Sequence, residues 1–494
     1  MRLRGVGPLR AHGGAELPRG AAAGRGSVRA AADAGPGRGA AGQPAAAAGA
    51  ALWTRGRLRP LPGGHVMGVP GDLDRLAAAE VLSPAGLARA GREAELPPAE
   101  PGEDVAIGAY VAERLGAEVT DRLVEPLLGG VYAGDAYRLS MRSAVPQLFA
   151  ALREEGTLLG AARAVQARGA AAAAAAGGAE TPVFMGIEGG VGRLPAAVAD
   201  AVRAGGGEIV LGAEVASLER VEAAPDPSPY ALEGVGGAPT SPTPGLRPGT
   251  QAGAPPSDPA AGGEAAAPQP GEGLPRPAPA REPGRARWRV VAGGRFYVAD
   301  AVVLAVPAVP GARLLRRPAP RAAAEFDGVR YASMALVTLA LPRREAAAQL
   351  PAGTGFLVPP VDGRTIKAST FSSAKWRWTG DDDLFLLRTS VGRVDDEKTL
   401  ERDDADLVTA SLDDLRAATG LAARPVASRV SRWRGALPQY EVGHDARVAR
   451  IRGALPAGLA VCGALYDGVG VPACVASAHR AADEVLGRPG TMAA

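Results

Sequence analysis

Val461-Cys462-Gly463-Ala464-Leu465-Tyr466-Asp467-Gly468-Val469-Gly470-Val471-Pro472-Ala473-Cys474 carries the densest structural signal in the chain. It predicts a strand over 459–463, a glycine turn, and a helix over 473–486 that starts near Pro472 and runs through Ala476, Ala481, Ala482 and Val485. A helix start offers free backbone N–H groups and the positive end of the helix dipole. Glycines let a flat ring or a phosphate approach the backbone closely. Read from the residues alone, the stretch is either a ligand seat or a tight strand–turn–helix packing.

Upstream, residues 429–433 read as a strand and 404–419 as a helix. Alternating apolar strands are expected at Ala301–Val306, Ala335–Leu341, Gly355–Val358, Thr365–Ser369 and Leu384–Ser390. Residues 225–285 hold 16 of the 44 prolines, with Ser, Gly and Ala between them, and read as a disordered insertion. It joins a strand near 215–219 to another at 287–292. Before it, Gly189-Gly190-Val191-Gly192 leads into a helix over about 194–204, followed by strands at Glu208–Leu211 and Ala213–Leu218. Residues 71–91, 103–128 and 142–166 read as helical, with Asp72 and Ser83 as N-caps. The alanine tract 170–176 reads as a loop or a frayed helix end.

Residues 1–50 differ in kind. They are almost wholly Gly, Ala, Arg and Pro, and their Leu and Val residues (Leu3, Val6, Leu9, Leu17, Val28) are never adjacent. Gly37-Arg38-Gly39-Ala40-Ala41-Gly42 has the G-x-G-x-x-G spacing. A dinucleotide cradle also needs a buried strand before it and an acid some twenty residues on. Gly35-Pro36 precedes this one, and no Asp or Glu lies between Asp33 and Asp72. It reads as chance in a Gly/Ala-rich tract, and the segment as disordered, with no buried strand or amphipathic helix to be built from it, or as a frameshift or wrong start in a GC-rich gene.

Composition excludes several classes. Net charge is +3, without the clustered charge and interleaved aromatics of a nucleic-acid surface. Two cysteines, Cys462 and Cys474, make no disulfide framework and suit a reducing cytosol. The four histidines lack metal-ligand spacing, so no metal site is expected. No apolar run is long enough to span a membrane.

The 461–474 stretch resembles the C-terminal flavin-binding motif of the oxygen-dependent porphyrinogen oxidases, within the flavin amine oxidase superfamily. Glu125-Pro126-Leu127-Leu128-Gly129-Gly130-Val131-Tyr132-Ala133-Gly134-Asp135 through Leu139-Ser140 and Arg142 resembles the same family. So do Gly189 through Pro195, Trp433 with Leu437-Pro438-Gln439-Tyr440 and Gly443-His444, and Leu61-Pro62 to Met67-Gly68-Val69-Pro70.

The resemblance implies an α/β fold: a discontinuous Rossmann-like FAD-binding domain, an inserted mixed-sheet substrate domain and a helical subdomain. The chain then divides into an atypical segment 1–51, a helical substrate-access region 52–180, FAD-binding parts 181–224 and 286–310, the insertion, a substrate domain 311–428 and a C-terminal FAD-binding part 429–487. It implies FAD bordered by Val215, Trp433, Val469, Gly470 and Val471. It implies a porphyrinogen lying against Gly130 and sandwiched by Phe356 and Leu357, with molecular oxygen as oxidant and hydrogen peroxide as product. Coproporphyrinogen III is favoured over protoporphyrinogen IX. An amine oxidase, a carotenoid desaturase and a porphyrin-binding flavoprotein without turnover are the alternatives. Lys367, Lys375 and Arg377 read as solvated charges ahead of propionate partners, and neither Tyr440 nor His444 is assigned as acid or base. The expected setting is the cytoplasm, with peripheral contact to a membrane or to a downstream haem-pathway enzyme. With residues 1–50 as written, the FAD site lacks its pyrophosphate cradle.

Overall fold

The computed structural model describes residues 17–18, 42–44, 49–175, 184–221 and 287–487. Its largest element is a seven-stranded sheet in the order Ala427–Pro438, Tyr331–Pro342, Leu384–Val391, Ile366–Thr370, Gly355–Leu357, Ala51–Thr54 and Arg57–Pro60. All pairs are antiparallel except Gly355–Leu357 with Ala51–Thr54.

Successive strand residues point to opposite faces, and this sheet separates its faces sharply. Phe356, Ser369, Thr389 and Val337 stand opposite one another across four strands, and all are buried. They pack under the helix Asp404–Thr419 through Leu407 and Leu415. Asp403 caps that helix by accepting from the Asp406 N–H, and Gly420 closes it in the left-handed region. The adjacent row, Leu357–Ala368–Ser390–Leu336–Ser431, crosses five strands on the other face, and every member is half-buried.

Helices between Leu73 and Ala175 form a second body around Ile107, Val111, Leu115, Leu128, Leu148 and Leu152. A buried pair fastens it: Arg114 Nε donates to Glu93 Oε1 at 3.1 Å, and the Glu93 carboxylate also accepts from the Leu158 and Leu159 N–H groups. The third body joins a parallel pair, Val302–Leu304 with Leu459–Val461, to an antiparallel meander of Val215–Val221, Arg287–Ala292 and Arg295–Ala299. Its core surrounds Trp288, Leu314, Phe326, Ile451 and Tyr466.

Three expectations need correction, and one is narrowed. Glu208–Leu211 is not a strand; no described strand lies beside it, and Leu211 is 83 % exposed. Of the two readings of the alanine tract the helix end holds and the loop does not: residues 170–175 close the helix Leu158–Ala175, since alanine favours helix without needing burial. The boundaries at 52 and 429 each fall inside strands of the seven-stranded sheet, because backbone pairing draws both segments into it. Within the atypical segment, Leu17–Pro18 and Gly42–Pro44 are short strands flanking Phe184–Ile187. The insertion lies outside the described residues.

Phe356 also sits between Trp53 and Phe371, each ring 6.2 Å away and edge-on. Phe356→Ala is therefore expected to lower unfolding stability by about 3–5 kcal/mol. Leu357→Ala, on the half-buried face, costs less. Urea unfolding at unchanged slope measures both, and an equal or reversed order contradicts this packing.

Candidate functional site

The turn after Leu459–Val461 is held by two residues, one within it and one outside it. Asp467 accepts from Arg452 Nη1 and Nη2 at 3.0 and 2.6 Å, from Ser477 Oγ at 2.8 Å, and from Arg480. Burial works to raise its pKa, but the hydrogen bonds and charge of Arg452 prevail and hold it below the usual aspartate value. Tyr440 Oη accepts from the Gly468 N–H at 2.8 Å and donates to the Ala464 carbonyl at 2.5 Å.

Gly463 and Gly468 have φ of +118° and +133°, conformations that a side chain resists. A Cβ on Gly463 would meet nothing within 4 Å, so open space faces that residue. Gly470 is the N-cap of the helix Val471–Leu486, and no side chain hydrogen-bonds to its first turn. An open glycine face and a helix start free of side-chain caps fit a flat ring that carries partial negative charge at its edge. Val469, the residue before Gly470, packs on the helical body's core, as Leu357 does.

The sheet's half-buried face lies next to the helix Glu125–Tyr132. A Cβ on Gly130 would sit 3.7 Å from Leu357 Cδ2, so that glycine and the floor of the sheet are in contact range. At the far end, the Gly186–Val191 turn lies over Thr370 and Arg388, beside the stacked rings of Trp376 and Trp378. Trp433 lies on the same face, paired with Met334 and 53 % exposed. Val215 opens the meander and packs on the third core.

Phe356 requires a correction. Its neighbour Leu357 faces Gly130, so strand alternation sends Phe356 into the opposite core. The two cannot sandwich one macrocycle. Lys367 and Lys375 also depart from expectation: each is only 4 % exposed. Burial, with Arg393 nearby, lowers the Lys367 pKa to about 7, and its Nζ has no hydrogen-bond partner. Burial raises Glu125 to about 7, although its carboxylate accepts from the Ala136 N–H at 2.7 Å. Arg393 interacts electrostatically with both and donates to the Val358 carbonyl at 3.2 Å. Nothing in the sequence spacing announces this cluster.

His444 stacks on Tyr440 with ring centroids 3.8 Å apart, and burial lowers its pKa to about 4. The Gly37–Gly42 spacing is not a cradle: Gly42 pairs antiparallel with Ile187, where a cradle needs the third glycine to open a helix. Among the described residues, no cluster of three or more His, Cys, Asp or Glu is placed to hold a metal, and no helix is long and apolar enough to cross a membrane.

The chain belongs to the family of flavin-containing amine oxidoreductases, whose model matches residues 41–237 and 280–486. It is 34 % identical over 438 residues to the coproporphyrinogen III oxidase of Mycobacterium tuberculosis H37Rv, covering 88 % of this chain and 78 % of that protein. The Bacillus subtilis coproporphyrinogen III oxidase is 25 % identical over 433 residues, covering 87 % of this chain and 77 % of that one. A crystal structure from Exiguobacterium sp. 255-15, assigned as a protoporphyrinogen oxidase, superposes with a TM-score of 0.65 at 25 % identity, covering 90 % of this chain and 82 % of the other. The fold is α/β, and the chain is an oxidoreductase of a flavin-dependent family.

Lys367 gives a pH test. Its folded pKa of about 7 lies below the ordinary 10.5, so the unfolded chain binds the extra proton between those values. Stability then rises with pH across that window. Lys367→Met should raise the melting temperature most below about pH 7, with the gain fading toward pH 10.5. A gain that is independent of pH contradicts a buried, depressed lysine.

Proposed function

We propose that this protein oxidises a porphyrinogen to a porphyrin, with FAD as the bound cofactor and molecular oxygen as the final oxidant. Coproporphyrinogen III is the preferred substrate, ahead of protoporphyrinogen IX. The observation that carries this reading is the half-buried row across five strands, facing Gly130 and lying in the same molecule as the open glycine turn. Strands about 4.8 Å apart make that row roughly 19 Å wide, enough for a flat tetrapyrrole. The 34 % identity to a coproporphyrinogen III oxidase supports the choice of substrate.

In this reading Val469, Gly470 and Val471 lie against the flavin, with Val215 and Trp433 at its border. Gly130 and Leu357 lie against the macrocycle, and Phe356 supports the sheet from behind. Bound flavin supplies the hydride acceptor, which oxygen then regenerates with release of hydrogen peroxide. The residues of this chain orient and shield the rings. Leu336, Leu357 and Ala368 present apolar surface, while Ser390 and Ser431 present hydroxyls. Tyr440 is no acid or base here, because its one proton is committed to Ala464 and burial raises its pKa. The cytoplasm is the proposed setting. With Gly42 in an antiparallel strand the Gly37–Gly42 spacing supplies no cradle, and we expect the pyrophosphate to be held weakly. Each lost charge-assisted bond costs about 1.5–3 kcal/mol, so the purified chain should carry less than one FAD.

The test adds FAD to the purified chain and then coproporphyrinogen III, protoporphyrinogen IX or an alkylamine under air. Oxygen uptake with porphyrin formation, faster for coproporphyrinogen III, is expected. Uptake with the amine alone selects an amine oxidase, and porphyrin binding without uptake selects a flavoprotein without turnover.

A further inference from the structure

Tyr440 is 1 % exposed and touches both halves of the site. On one side its hydroxyl closes the loop 464–468, accepting from Gly468 and donating to Ala464. That hydroxyl has one proton, and both loop ends meet on its single oxygen. On the other side its ring meets Tyr132, with centroids 5.5 Å apart and planes inclined at 53°.

Tyr132 is the last residue of the helix Glu125–Tyr132, the helix that carries Gly130. The carbonyl of Tyr132 accepts from Gln439 Nε2 at 2.9 Å, so the residue before Tyr440 grips the same helix end. Tyr440 also accepts through its own carbonyl from the Ser140 N–H at 2.7 Å. Beyond Tyr132 the backbone turns at Ala133 with φ of +48°, a left-handed conformation that a non-glycine residue holds only under constraint. The helix thus ends in a left-handed cap, and its last residue bears on the ring whose hydroxyl sets the glycine loop.

We propose that Tyr440 is a positioning residue that couples the two ligand sides: its hydroxyl sets the loop 464–468, its ring senses the helix end at Tyr132, and ligands on the two sides bind cooperatively through it. This rests on the assignment of FAD to the glycine turn and of the tetrapyrrole to Gly130. A macrocycle seated on Gly130 presses the helix Glu125–Tyr132. The displacement reaches the loop through one ring and two hydrogen bonds. Linkage requires the effect to be equal in both directions.

Equilibrium dialysis tests this. The Kd of FAD is measured with and without saturating coproporphyrin III, and the Kd of coproporphyrin III with and without saturating FAD. In the wild-type chain both ratios should be equal and about fivefold or more. Tyr440→Phe keeps the ring and its stack on His444 but removes both hydroxyl bonds, and should bring both ratios to one while each ligand still binds. Tyr132→Leu approaches from the other side and should do the same. A purely structural role would weaken binding without abolishing the ratio. A ratio that persists in both variants, or a wild-type ratio of one with both ligands bound, overturns the coupling alone. Failure of the wild-type chain to bind FAD at any concentration overturns the functional reading, and the coupling with it.

Discussion

An ion-paired carboxylate within a glycine turn holds the site together. Asp467 belongs to the turn, Arg452 to the helix His444–Gly453, and Ser477 and Arg480 to the helix Val471–Leu486. These bonds tie the turn to both helices, so its shape follows from where Arg452, Ser477 and Arg480 stand. With the turn set, Gly463 faces open space and the helix start keeps its first N–H groups free of side-chain caps. Tyr440 closes the other side of the same turn. In the proposed reading these residues position the flavin and leave the reaction to it.

The second constraint is the alternation of the strand. The seven-stranded sheet commits one face to a core that includes Phe356, Val337 and Leu407, and leaves the other half-buried. A sheet face of mixed small, apolar and hydroxyl residues, bounded by a glycine-bearing helix, is where we propose that a flat ligand lies. Two ionisable groups at its margin, Glu125 and Lys367, are both moved to about 7 by burial, from opposite directions. Near neutral pH the interior there avoids two full charges.

Much of this is legible in the residues. The helix Asp404–Thr419 is readable from its apolar spacing, and the glycine turn and the strands around it from alternation. The helix-end motif near Gly130 and the Leu437–Tyr440 stretch are readable as separate signals, yet their meeting is not. Tyr440 and Tyr132 are distant in sequence, and only the fold brings them to 5.5 Å. The facing of Phe356 is not legible, because a strand pattern gives alternation without saying which face is the core. Glu208–Leu211 has the composition of a strand, but a strand exists only beside another. Lys367 looks like a solvated charge because lysine is rarely buried, and its burial follows from neighbours that no local pattern names.

Backbone amide exchange measures whether the flavin ring lies on the glycine turn, as proposed. Hydrogen–deuterium exchange is followed by mass spectrometry on the full chain, with and without saturating FAD. FAD should slow exchange in the peptides that cover residues 463–474, because the N–H groups at the turn and helix start become covered. Unchanged exchange there, with protection confined to other segments, would place the flavin elsewhere.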